Sequence, residues 1–469
     1  MDIRVVVLGA GPGGYAAALH AARQGAQVTL VEREQVGGTC LHWGCIPSKI
    51  LKAAAERLEA VRTAGEFGVQ TPPGAAMDIN AVRNRQQRII EIQAGGIRDL
   101  LRRAGVRLMP GTGRILGPGR LAVAAADGTC ETLDWDRLIL ATGSRPAPVA
   151  ALPFDGRRIV SSNEALFFEH LPERLLIVGG GVIGCEFAGI FSALGTRVTL
   201  VEAMDRVLPL PALDEEISRT LLREMKKRRI DCHLDATASG VVLQDDGVAV
   251  HIAPVEGGPS RTVTVDTVLV CVGRRPNSED LGLEKVGVQT DTGGWIRVDD
   301  GMRTTADGIW AVGDLLGPAR VMLAHVAAAE AAVAADNALG AERRMAYRAV
   351  PGAVFTMPEV AHVGLSQAQA QDAGLKVESA SVLFRALGKA HVTGEIAGQA
   401  KIVYETPGGR ILGVHLIGPR ATDLIAEGTL AVQQGLTVAQ LAATIHAHPT
   451  LAEIMGEAAL KAAGTPLHG

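Results

Sequence analysis

An α/β chain built around two copies of a parallel strand–turn–helix–strand unit is predicted by three observations. The stretch "VVVLGAGPGGYAAALHAARQGAQVTLVE" (Val5–Glu32) aligns without gaps onto "LLIVGGGVIGCEFAGIFSALGTRVTLVE" (Leu175–Glu202), at an offset of 170 residues. Each copy reads as an apolar strand, a G-x-G-x-x-G turn, a helix of small residues and a second apolar strand ending in an acid. The chain has 469 residues, too many for one hydrophobic core. About three domains are therefore expected, two of them Rossmann-like.

In the first copy Gly9 makes the tight turn, Gly11 lets backbone approach a pyrophosphate, and Gly14 packs helix on strand. The helix N-terminus offers free N–H groups and a positive dipole end to the phosphate. Glu32, at the tip of the second strand, is placed to take ribose hydroxyls. Gly179, Gly181, Gly184 and Glu202 repeat the arrangement. One glycine motif alone is weak evidence, but two in full context, each with its acid, predict two bound dinucleotides. Glu202 would repel a 2′-phosphate, and Ala203 and Met204 follow it, so the second site is expected to take NAD rather than NADP. Arg206 is the one nearby cation that opposes this reading.

Three further segments bear on the first site. "LILATGSRP" (Leu138–Pro146, containing Thr142 and Gly143) and "VLVCVGRRPN" (Val268–Asn277, containing Gly273) are strand-to-loop junctions of similar character. "GIWAVGD" (Gly308–Asp314) is a strand ending in glycine and a carboxylate, suited to hydrogen-bonding a polyol chain. Each alone reads as a strand end with a turn. Together, in this order, they point to a flavin in the first site.

"GGTCLHWGCIPSK" (Gly37–Lys49) holds two of the six cysteines, Cys40 and Cys45. On an ideal helix their side chains would stand roughly 140° apart and their Cα atoms about 8–9 Å apart, whereas a disulfide wants about 4.4–6.8 Å. A bond between them requires unwound backbone, which Gly44 would ease, and the strained turn would make it easy to reduce. Spacing alone does not establish such a bond. A zinc site needs further ligands at suitable spacing, and Cys130, Cys185, Cys232 and Cys271 are scattered singly, each reading as a small buried hydrophobe. No metal is expected.

Hydrophobic residues at 47%, charged residues at 20% and a net charge of −4 describe a soluble globular protein with no global field for nucleic acid or membrane. The basic run Arg223–Arg229 reads as the solvated face of a helix. No apolar run reaches the roughly 18–20 residues of a membrane span, and the N-terminus enters a strand at once, leaving no room for a signal peptide. A cytoplasmic protein is expected, and in a reducing compartment a close cysteine pair is more often catalytic or metal-binding than structural.

The order of a first dinucleotide fold, GGTCxxxGCxPSK, ATGSRP, a second dinucleotide fold, GRRPN, AVGD and a late HxHPTxxE resembles the FAD-dependent pyridine nucleotide–disulfide oxidoreductases over essentially the whole chain. Within the family it is most similar to the lipoamide branch, which reoxidises lipoyl groups of 2-oxoacid dehydrogenase and glycine cleavage complexes. The NADPH-using glutathione branch usually has arginines where Glu202-Ala203-Met204 stand. Mercuric reductases carry a C-terminal cysteine pair absent from "AAGTPLHG", and soluble transhydrogenases lack the redox pair present here. The segment Met322–Ala331 also resembles the lipoamide branch. His42-Trp43 departs from the family, which more often has Asn and a small residue there. That leaves a related NADH-dependent reductase of another disulfide as the alternative function.

The resemblance implies a role for each matching residue. Cys40 would be the interchange thiol and Cys45 the thiol against the flavin, at the N-terminus of a helix beginning near Pro47. Lys49 would reach the flavin and pair with Glu186, which contacts the nicotinamide. His448, oriented by Glu453, would be the base that deprotonates the substrate dithiol, while His446 reads as a packing histidine. Glu32, Thr142, Gly143 and Asp314 fall to FAD, and Glu202 and Gly273 to NAD. The implied domains are FAD-binding (1–149), NAD-binding (150–272), a return to the FAD or central part (273–347) and a C-terminal α/β dimerisation domain (348–469). The implied partner is a second copy of the chain, with active sites shared between subunits, and beyond it the lipoyl domains of such a complex.

Overall fold

A computed structural model of the chain describes residues 3–468, which divide into two compact units. The first comprises the residues up to Leu51, Asp78–Ala147 and Gly273–Ala346. Its five-stranded parallel sheet runs in the order Ile309–Ala311, Arg137–Leu140, Arg4–Leu8, Gln27–Glu32, Arg107–Pro110. The central strands Val5–Leu8 and Leu138–Leu140 are buried without alternation, as parallel strands covered on both faces are. The helix Pro12–Arg23 starts on proline, which has no N–H to leave orphaned in a first turn, and packs on the alanine-rich helix Ala324–Ala338. A three-stranded antiparallel sheet (Thr112–Gly117, Arg120–Ala124, Cys130–Asp134) lies in the chain between the strands Arg107–Pro110 and Arg137–Leu140.

The second unit comprises Lys52–Met77, Pro148–Val272 and the residues from Tyr347 onward. Its parallel sheet has the order Asp231–His233, Arg197–Val201, Arg174–Val178, Thr267–Val270, Ile159–Val160. It carries its own antiparallel trio, Ala236–Gln244, Gly247–Pro254 and Arg261–Val265. The internal repeat thus extends past the aligned stretch, to the antiparallel trio and the parallel strand that follows it in each unit. The same unit holds an antiparallel sheet in the order Gly352–Val354, Glu359–Gly364, Ile411–Gly418, Gln399–Glu405, Val377–Leu383. The helix Ala421–Gln434 packs on its strands Glu359–Gly364 and Ile411–Gly418, and the helix Glu453–Ala462 on Val377–Leu383 and Gln399–Glu405. Phe384, Leu416 and Ile454 are fully buried in the core between them.

The basic run is only partly a solvated helix face. The helix Glu215–Lys227 ends inside it, its Lys226 and Lys227 favourably placed on the negative dipole end. Arg228, past the last turn, instead pairs with Glu59 and donates to the Met357 carbonyl at 3.0 Å.

Candidate active site

Both glycine turns have the geometry their motif requires, and the three glycines of each serve different ends. Gly9 and Gly179 take left-handed φ of +94° and +109°. Added Cβ atoms on Gly14 and Gly184 would collide with the carbonyl oxygens of Gly9 and Gly179. The middle glycines are different: φ is an ordinary −69° at Gly11 and −72° at Gly181. A Cβ on Gly181 would meet nothing within 4 Å, and one on Gly11 only Gly38 Cα at 4.0 Å. Nothing in the protein demands glycine there. Both helices that follow lack a side-chain cap, so their first N–H groups are left for an anion. This is the space a dinucleotide pyrophosphate fits, once in each unit.

The two acids do the same work in each copy, which the spacing did not reveal. Glu32 accepts from Ala10 N (2.6 Å) and Glu34 N (2.8 Å). Glu202 accepts from Gly180 N (2.5 Å) and Met204 N (2.9 Å). Each carboxylate closes its own glycine turn and keeps lone pairs for ribose hydroxyls. Arg206 is turned away from this role: its guanidinium donates to the carbonyls of Leu210 (3.0 Å) and Leu213 (3.4 Å).

The cysteine segment is seated on the first glycine turn. Gly37 N donates to Ala10 O at 2.8 Å, and Gly38, at φ +56°, lies against Gly11. The short helix Gly38–His42 carries Cys40; the chain breaks at Trp43-Gly44 and a new helix, Cys45–Thr63, begins. This helix starts two residues earlier than expected, because Pro47 in a first turn costs no hydrogen bond. Its start is braced by Gln86, fully buried, donating to Pro47 O at 3.0 Å. The break brings the two sulfurs together as thiols. Cys40 is half-buried and hydrogen-bonded to Cys45, and that bond, followed by burial, pushes its thiol far up, with Lys49 pulling the other way. His42, bonded to Val36 O at 2.9 Å, packs its ring against Trp43 at 5.5 Å between centroids.

Around the thiols the ATGSRP and GRRPN segments form a two-stranded antiparallel ribbon, Arg274 opposite Pro146 and Pro276 opposite Ser144. Thr142 and Asn277 exchange bonds of 2.8 Å, and Gly143 O accepts from Asn277 N at 2.9 Å. Gly273 sits at the ribbon's start, its carbonyl bonded to Ala147 N at 3.0 Å. The AVGD loop is held by buried Glu330, which accepts from Gly313 N at 2.7 Å. Asp314 accepts from Ser144 Oγ (2.7 Å), which also receives Arg274 Nε (2.6 Å). Arg274 was not singled out from sequence, although it directly follows Gly273. Burial lowers its pKa, while Asp314 and Cys45 draw it back up, so it is a buried cation within reach of the thiol pair.

In the second unit, Glu186 is buried on the helix Val182–Leu194 and accepts from Phe355 N at 2.9 Å. His448 Nδ1 lies 2.8 Å from Glu453 Oε1, and Glu453 Oε2 accepts from Thr450 N at 2.8 Å. Burial works against ionisation of Glu453, but Thr450 N–H and His448 outweigh it and hold the carboxyl below its usual range. The ring is 75% exposed, and among the described residues nothing bonds its Nε2. A carboxylate-oriented imidazole with a free nitrogen can take and return a proton.

The remaining cysteines lie outside the thiol pair. Burial raises Cys185, raises Cys232 to about 11 and raises Cys271 to about 12; Cys130 is exposed on an edge strand. Among the described residues no cluster of three or more His, Cys, Asp or Glu could hold a metal, and no helix is long and apolar enough to cross a membrane.

Known proteins align with this arrangement over its whole length. A dihydrolipoyl dehydrogenase of Haloferax volcanii is 39% identical over 466 residues, covering 99% of this chain and 97% of its own. That of Thermus scotoductus is 40% identical over 456 residues, covering 97% and 96%. The crystal structure of LpdA from Mycobacterium tuberculosis superposes with a TM-score of 0.90 at 32% identity, covering 98% and 99%. The family model for pyridine nucleotide-disulphide oxidoreductases matches residues 3–331, and that for their dimerisation domain matches residues 350–459. With both family models matched, together over most of its length, the chain belongs to the pyridine nucleotide-disulphide oxidoreductase family.

Proposed function

We propose that this protein is a dihydrolipoamide dehydrogenase that uses FAD and NAD, working as a homodimer. The observation that carries the reading is the contact of Cys40 with Cys45 across the helix break, in a chain that keeps the His448–Glu453 pair. The first glycine turn with Glu32, Thr142, Gly143 and Asp314 holds FAD; the second, with Glu202 and Gly273, holds NAD. Bound FAD and NAD supply the two-electron acceptor and the final hydride acceptor.

The protein's own residues handle the thiols and protons. His448 Nε2 takes the proton from one thiol of a dihydrolipoyl group. The resulting thiolate attacks Cys40 Sγ, breaking the Cys40–Cys45 disulfide, forming a mixed disulfide and releasing Cys45 as thiolate. The second substrate thiol then attacks the substrate sulfur of the mixed disulfide, closing the lipoyl ring and releasing Cys40, whose sulfur takes up the proton this thiol gives up. Two electrons have passed from the substrate dithiol to the cysteine pair, and Glu453 stabilises the imidazolium formed on the way. Lys49, which draws the Cys40 thiol toward ionisation, and buried Arg274 are cations placed to favour thiolate at the pair.

Three parts of the reading rest on the family resemblance: the pairing of Lys49 with Glu186, the service of His448 to the partner subunit's thiols, and the division at residues 149, 272 and 347. Lipoyl domains of a 2-oxoacid dehydrogenase or glycine cleavage complex are the proposed protein substrates. The test is NADH oxidation with free lipoamide beside a panel of small-molecule and protein disulfides. Lipoamide should exceed every other disulfide in kcat/KM by more than about tenfold, or roughly 1.4 kcal/mol of transition-state preference. Preference for another disulfide would move the assignment to a sister reductase, with Trp43 as the residue to examine.

A further inference from the structure

The loop between the helices Val438–Ala442 and Glu453–Ala462 carries two histidines two residues apart, and each has its own glutamate. They differ in exposure. The His448 side chain is 75% exposed and that of His446 only 11%. His446 Nε2 lies 2.9 Å from Oε1 of Glu427, on the helix Ala421–Gln434, and its Nδ1 lies 3.1 Å from the carbonyl oxygen of Thr444. Both neighbours offer acceptor oxygens, so the ring is held from both of its nitrogens. The ring also rests on Gly456 of the following helix, where a Cβ would stand 2.7 Å from Nδ1. His446 is therefore wedged between two helices, in room that a glycine leaves for it. None of His446, Glu427 and Gly456 has a part in the chemistry proposed above.

We propose that His446 and Glu427 are a positioning pair for the base. Glu453 ties the loop downstream of His448 through Thr450 N, and the His446–Glu427 bond ties it upstream. Between these two anchors His448 is presented at one place in spite of its exposure. Thiol deprotonation needs that, because a misplacement of about 1 Å at a reacting group can cost on the order of 100-fold in rate. The inference rests on the reading of His448 as the base for a dithiol.

The test separates the half of the reaction that uses the base from the half that does not. In the purified FAD-loaded dimer, Glu427→Ala should lower NADH:lipoamide turnover by about 10- to 100-fold. NADH oxidation by ferricyanide, which draws electrons without the thiols or His448, should stay within about twofold of wild type. Glu427→Gln, which keeps an acceptor oxygen for Nε2, should recover most of the lost turnover. If Glu427→Ala does not fold, His446→Gln, which keeps the bulk but not both ring nitrogens, should give the same split. Lipoamide turnover within about twofold of wild type in the folded variant, or an equal fall in both activities, would overturn the proposal. Failure of the wild type to turn over lipoamide would instead count against the proposed function. The split is then read with whichever disulfide the wild type does reduce.

Discussion

Gly38 lies against Gly11, so closely that a Cβ on Gly38 would stand 2.7 Å from Gly11 Cα. The contact places the segment bearing Cys40 directly on the first pyrophosphate turn. The proposed cofactor site and the thiol pair therefore share one backbone contact, and four consequences of the structure can be measured.

The middle and last glycines of each turn should part company on substitution. Gly14→Ala and Gly184→Ala drive a Cβ into a carbonyl and should destabilise the protein by about 3 kcal/mol or more, seen as a lower denaturation midpoint. Gly11→Ala and Gly181→Ala meet no such obstacle in the protein. They should melt within about 1 kcal/mol of wild-type apoprotein yet lose affinity for FAD and NAD respectively. Normal flavin content in Gly11→Ala would refute the pyrophosphate reading of that turn.

Cofactor choice should favour NADH over NADPH by at least about tenfold in kcat/KM, since a 2′-phosphate beside buried Glu202 costs more than roughly 1.4 kcal/mol. Arg206 does not offset this, because the Leu210 and Leu213 carbonyls occupy its guanidinium. Equal efficiencies with the two cofactors would show that Arg206 leaves those carbonyls.

The proposed sharing of active sites between subunits can be tested with mixed dimers. Cys45→Ser and His448→Gln should each be nearly inactive with lipoamide as homodimers. On the proposal that His448 serves the partner subunit's thiols, one site of a mixed dimer collects both defects and the other receives neither. Random pairing makes about half the dimers mixed, so coexpression should restore roughly a quarter of wild-type turnover. Mixed dimers that remain inactive would place the cysteines and the histidine of each site on one chain.

Acid should weaken the second unit through a pair of buried histidines. His362 and His415 face each other across paired strands with stacked rings 6.3 Å apart, and burial lowers both to about 4. His415 donates from Nε2 to Leu365 O (3.0 Å) and its Nδ1 faces Asp214 N (3.4 Å), beside the buried Asp214–Lys401 pair that also faces Glu216. The unfolded chain, with histidine near 6.5, takes up these protons first. Stability is thus complete above about pH 6.5 and falls as pH drops toward 4, by up to about 2 kcal/mol per histidine at pH 5. His415→Gln, which keeps one donor and one acceptor, should flatten this decline in denaturation midpoints measured from pH 7.5 to 5. An unchanged slope would mean that acid acts elsewhere.

The amino-acid sequence by itself determined what is local. Each glycine turn, its helix and its closing acid lie within one short stretch, and the left-handed φ at Gly9 and Gly179 is a demand that only the residue type has to meet. The segment holding Cys40 and Cys45 was legible as a motif, but spacing alone left their contact open, and their roles, like the pairing of His448 with Glu453, came from the family resemblance. Tertiary structure alone decided the rest, since it joins residues with no common pattern. Arg274, Ser144 and Asp314 meet because two crossing segments pair as a ribbon beside the AVGD loop. Glu427 meets His446 because two helices lie on one antiparallel sheet. In both places the interaction is made by side chains brought from distant stretches into a partly dry site. There a hydrogen bond is worth making only because the packed backbone has already settled the cost of bringing its partners together.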